Sequence, residues 1–143
     1  MKKPLFIPFV AVAAVSFLLG PAAPSAKAIK PFFDEFQAVY LKPDSTDKKD
    51  KEFAVAIEKV KCNVCHEGKS KKDRNIYGMA LDLMLDKKAD KDDKDKIRLA
   101  LETVATIKSD PAKADAPTFG QLLAQRKLPG GEPKKDVEDG AGQ

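Results

Sequence analysis

The chain contains two cysteines and one histidine, and all three fall within Cys62-Asn63-Val64-Cys65-His66. This concentration constrains the fold more than any apolar run does. Thiols three residues apart project from one side of a helical turn, and the imidazole of the next residue follows beside them. Whatever the chain folds into has to present these three groups together.

Cys-x-x-Cys-His is the attachment signature of c-type haem. Cys62 and Cys65 can reach both vinyl groups of one porphyrin and form thioethers. His66 then lies under the iron as its proximal ligand. Three other uses of the pentapeptide are open. A redox dithiol normally belongs to a strand-helix-strand unit, and no strand-like alternation is present. A structural zinc needs four ligands, so a carboxylate would have to complete the three Cys/His donors. A disulfide between cysteines this close closes too small a loop to stabilise much. One covalent haem c with its iron is the simplest reading.

The N-terminus points the same way. Met1-Lys2-Lys3 is a short cationic start, Leu5 to Gly20 is mostly apolar, and a Pro/Ala/Ser stretch ends in Ala26-Lys27-Ala28. This is the pattern of a cleaved signal peptide over residues 1–28, with export to a periplasmic or other extracytoplasmic compartment. The alternative is an uncleaved anchor, but the run is short against the ~20 residues of a bilayer span. No stable membrane insertion is expected after cleavage.

Losing the leader removes Lys2, Lys3 and Lys27, which takes 26 basic residues to 23 against 22 acidic ones. The basic balance of the whole chain therefore belongs mostly to the leader. It does not indicate nucleic-acid binding, which needs a clustered basic surface. From Ile29 onward 115 residues remain (143 minus 28), enough for one small domain. We assign it to residues 29–128, with a flexible Gly/Lys/Asp-rich tail over 129–143.

The spacing predicts an all-α domain. Pro31 opens a helix carrying Phe32, Phe33, Phe36, Val39 and Tyr40. A second helix starts near Asp47 and places Phe53, Ile57, Val60 and Val64 on one stripe, bringing the cysteine motif on its final turn. Asn75 is a candidate N-cap for a segment running to Leu85. Ile97, Ala100, Leu101, Val104 and Ile107 form a further stripe, and Thr118 to Gln121 reads as a capping box.

A haem motif at the end of an N-terminal helix, in an exported domain of this size, resembles the cytochrome c family of small electron carriers. The resemblance implies helices wrapped around one covalently held haem, one-electron transfer between redox partners, and no enzymatic activity. It also implies a distal methionine, usually in a proline-rich loop well beyond the motif. Here Asp110 to Phe119 has the prolines and no methionine. Met79 is the first candidate, because Gly78 before it allows the backbone close to a porphyrin. Met84, on a stripe with Tyr77 and Leu81, is the second; Lys113 is a substitute; a vacant position is the remaining option.

That choice separates a six-coordinate carrier from a five-coordinate protein that binds gas or peroxide as a sensor or enzyme. A module docking on a larger redox enzyme is a third class. The chain has no second histidine to serve as a distal acid–base group. Lys59, Lys61, Lys69, Lys71, Lys72 and Arg74 flank the motif and suit a partner with an acidic docking face. Tyr77, Asn75 and Arg74 are candidate donors to haem propionates.

Overall fold

The structure, a computed structural model, describes residues 30–133. The leader and residues 134–143 of the expected tail lie outside the described residues. Five α-helices follow one another: α1 (Lys30–Tyr40), α2 (Lys48–Val60), α3 (Ile76–Asp82), α4 (Lys94–Ala105) and α5 (Phe119–Ala124). A four-residue 3-10 turn, Lys61–Val64, follows α2. Among the described residues there is no strand, and no helix is long and apolar enough to cross a membrane.

Helices α2 to α5 each begin where a side chain can take up orphan backbone donors. Asp47 accepts from Lys49 N at 2.7 Å, Asn75 from Gly78 N at 2.9 Å and Asp93 from Lys96 N at 2.9 Å. Thr118 and Gln121 form the expected reciprocal capping box.

Two expectations need correction. The second helix does not run through the cysteine motif: it ends at Val60, because Lys61 turns into the left-handed region at φ 47°. The bend, rather than continued helical periodicity, carries Val64 into the core, where it is 1 % exposed. Ile107 is not a core residue. Helix α4 stops at Ala105, Thr106 turns its hydroxyl back to Thr103 O, and Ile107 is left 43 % exposed. The backbone of Ile107 instead accepts from Phe119 N, starting the link to α5.

The core joins all five helices. Phe36 of α1 meets the edge of Tyr77 of α3 with ring centroids 6.1 Å apart, and Tyr77 meets Phe119 of α5 at 5.1 Å. Phe53, Ile57, Ile97, Leu101 and Val104 fill the space around them. Arg126 lies over the Phe53 ring and pairs with Asp50, fastening the chain after α5 onto α2. Packing then continues past residue 128: both Leu128 and Pro129 are buried.

Helix α1 packs on α4, and a buried carboxylate fixes their pairing. Glu35 is 4 % exposed and receives Arg98 Nε at 2.8 Å and Lys94 Nζ at 3.4 Å. Burial alone would raise its pKa; the two cations outweigh this and hold it below the usual 4.5. A depressed folded-state pKa contributes stability above about pH 4.5, which is lost as pH falls through the lower folded value. We therefore expect Glu35→Gln to reduce the acid-side slope of Tm against pH below about 4.5. Parallel slopes for the two proteins would remove Glu35 from the acid response.

Candidate functional site

The break at Lys61 sets the cysteine motif on a tight turn of its own. Cys65 N and His66 N both donate to Cys62 O, at 3.2 and 3.1 Å. This closes the loop between the two thiols and swings His66 in beside them. Both cysteines are unbonded, and each is partly buried.

Cys62, Cys65 and His66 line one cleft. Its apolar walls come from Phe32, Phe33 and Phe36 of α1, Leu81 and Leu85 around α3, and Ile97 and Leu101 of α4. The cavity volume is about 80 Å³, well below the ~300–1,000 Å³ of cofactor pockets, so a porphyrin would enter only as the walls move apart. Its polar rim is Arg74, Asp82 and Lys87.

The imidazole is prepared as a ligand on one side. His66 Nδ1 lies 3.3 Å from Asp73 O. A carbonyl can only accept, so this hydrogen bond fixes the proton on Nδ1 and leaves the Nε2 lone pair available. Burial lowers the His66 pKa; the Asp73 hydrogen bond opposes this, and Lys71 and Arg74 add to it. The ring is a neutral donor at neutral pH.

The thiols are not prepared for dithiol chemistry. Burial, with a smaller part from Cys62, pushes the Cys65 thiol up to about 12. Reactive dithiols have depressed values, because the thiolate is the nucleophile. The donors do not suit zinc either: among the described residues, no three His, Cys, Asp or Glu side chains converge where they could hold an ion. Thioether attachment asks for no such convergence, because the thiols meet the edge of a porphyrin and only the imidazole meets its metal. Two thiols and a neutral imidazole along one apolar wall are the donor set that thioether attachment of a haem asks for, although the cleft would have to widen to admit the ring.

The other expected site residues divide. Arg74 is at the rim, its Nη2 2.7 Å from Asp82 Oδ1, and its backbone bridges to His66. Tyr77 is wholly buried between Phe36 and Phe119 and does not line the cleft. Among the described residues its hydroxyl has no hydrogen-bond partner; the nearest phenol, Tyr40, donates instead to Leu101 O at 3.0 Å. Burial raises the Tyr77 pKa above the ordinary phenol value. The ring is core packing. Asn75 also faces away from the cleft, and both ends of its amide are engaged with protein atoms.

Neither methionine is brought to the cleft. Met79 is 58 % exposed and lines a separate depression behind His66. Met84 packs at the edge of the core and faces the groove by Asp86 and Lys96. Lys113 pairs with Asp110 at 3.0 Å. Gly78 does allow a close approach, but to protein: a Cβ there would sit 1.9 Å from Cys65 O. Around the motif, Lys71 reaches Asn63 Oδ1 at 3.0 Å, while Lys61, Lys69 and Lys72 are exposed.

Sequence reasoning missed Lys87 and Gly130. Lys87 stands in a dense mixed-charge stretch with no signal of its own, and only the turn after α3 brings it to the rim. The Asn75-x-x-Gly78 spacing did carry a signal, since a cap followed by a glycine on the third helical position permits close packing at a helix start. Comparison with protein-family models, curated proteins and solved structures finds no match to this chain.

Proposed function

We propose that the chain is an exported monohaem c-type protein that carries one electron at a time between redox partners. The single observation that carries this reading is the shared cleft: both thiols and a neutral, singly oriented imidazole face one apolar slot. Cys62 and Cys65 would hold haem c covalently, and His66 would be the proximal iron ligand through Nε2. Bound there, the group supplies reversible one-electron chemistry at its iron. The chain's own part is to fix the ring by the Asp73 hydrogen bond, to exclude water with the phenylalanines of α1, and to present the exposed lysines near the motif. Those lysines favour a partner with an acidic face.

A second reading is a haem protein with an open sixth position, binding a small gas or peroxide. The placement of Met79 and Met84 outside the cleft favours it. Peroxide turnover needs a distal acid–base group, and Arg74 at the rim is already committed to Asp82.

The test is expression of the full chain in a host with c-type maturation machinery. We expect one haem per chain that survives denaturation, and none in a Cys62→Ala/Cys65→Ala variant. A wild-type protein recovered without covalent haem would sink the reading.

A further inference from the structure

We propose that Asn75 is the positioning residue of this site: it holds the Cys62–His66 turn in its receiving shape, and Gly130 keeps it seated. The proposal rests on the haem reading for its purpose, though not for its geometry.

The carbonyls of four consecutive residues, Asn63 to His66, converge on Asn75. Its side-chain Nδ2 is 2.9 Å from Val64 O, 3.2 Å from Asn63 O and 3.4 Å from His66 O. Its backbone N–H takes the remaining one, Cys65 O, at 3.2 Å. A four-residue 3-10 turn cannot satisfy these carbonyls within itself. On the opposite side Oδ1 accepts from Gly78 N at 2.9 Å, which fixes the amide orientation.

An N-cap role alone does not explain this residue. Asp, Ser or Thr would cap α3 as well. Among these caps the Asn amide alone accepts from the helix and still offers two N–H donors to the turn; a Ser or Thr hydroxyl has one donor and an ionised Asp none. Gly130 closes the arrangement from behind, since a Cβ there would lie 2.1 Å from Asn75 Nδ2 and 2.5 Å from its Cγ. Asn75 therefore links three segments: the thiol turn, the start of α3 and the chain after α5. Through them it sets where both sulfurs and the His66 ring stand against the cleft.

Asn75→Asp isolates the donating half, because the carboxylate keeps the cap and loses the amide protons. In the reduced full chain before haem attachment, we expect Cys65 to alkylate more slowly than Cys62 in wild type. Asn75→Asp should speed Cys65 by at least about tenfold, the factor that goes with one lost buried hydrogen bond, with far-UV helix content unchanged. In the matured protein the same variant should carry less covalent haem, and the haem it does carry should have a shifted reduction potential. Wild-type alkylation rates, loading and potential in Asn75→Asp would overturn the proposal.

If Asn75→Asp loses its helix signal, a cycle with Gly130 decides instead. Gly130→Ala should accelerate Cys65 alkylation in wild type and do almost nothing in an Asn75→Ala background, where the clashing amide is gone. Equal effects in both backgrounds would overturn the proposal. A wild-type chain that takes no covalent haem defeats the functional reading, and the alkylation cycle then judges Asn75 alone. Equal alkylation of Cys62 and Cys65 in wild type counts against the clamp.

Discussion

Gly78→Ala is expected to destabilise the protein by roughly 3 kcal/mol or more, although the same change in an exposed helix would stabilise by about 1. The sign follows from one contact. Helix α3 crosses the thiol turn so closely that an added Cβ would stand 1.9 Å from Cys65 O and 2.8 Å from Cys65 C. Both are backbone atoms, so no rotamer change relieves the clash. Either α3 or the turn has to move, and the turn is held by Asn75 from the same helix start. The variant should lose stability in denaturant unfolding and lose covalent haem in proportion. Gly120→Ala gives the comparison: its Cβ would meet Ala105 O at 2.8 Å, a milder overlap, and should cost less. A Gly78→Ala protein as stable as wild type would show that α3 does not approach the thiol turn this closely.

The helices were legible because their signals are local. Caps at Asp47, Asn75 and Thr118, apolar spacing in α1, α2 and α4, and the absence of alternation needed no knowledge of neighbours. The missed features depend on where the chain bends. Nothing in Val60-Lys61-Cys62 announces a left-handed lysine, because lysine has no preference for that region. Once the chain turns there, helical periodicity stops predicting which face of the motif is inward. Ile107 failed for a related reason: a stripe read over 97–107 does not register that the helix ends two residues earlier, at Ala105, with Thr106 as its cap.

At the site, the sequence singled out the residues and not their geometry. Cys62, Cys65 and His66 are read from spacing alone, and the structure brings them to one cleft. The supporting residues are another matter. Asn75 and Tyr77 have the donors a propionate wants, so donor type suggested propionate roles for both. Their neighbours decide otherwise: four carbonyls and a helix start occupy Asn75, and aromatic rings enclose Tyr77. Gly130 carried no signal at all, since its partner lies 55 positions away in sequence (130 minus 75).

The second large effect concerns the iron's far side. On the open-site reading, which the placement of both methionines favours, the reduced, haem-loaded protein is expected to bind carbon monoxide completely, with a large change in its main absorption band, and Met79→Ala and Met84→Ala should leave both spectra unchanged. A thioether already on the iron would exclude the gas. Among the described residues, however, no methionine lines the cleft, and Met79 reaches solvent from the face of α3 that looks away from it. Bringing Met79 to the slot would require α3 to rotate, which would drag Tyr77 out from between Phe36 and Phe119 and uncap Asn75. Each of these losses costs on the order of 1–3 kcal/mol. Lys87 at the rim is the one amine lining the cleft, so Lys87→Ala belongs in the series: if carbon monoxide binds only weakly to wild type and fully to this variant, the amine was holding the iron. The opposite result is equally clear. Exclusion of the gas by wild type, relieved by Met79→Ala, would mean that α3 does rotate when the cofactor enters, and the carrier reading would then stand with a thioether ligand.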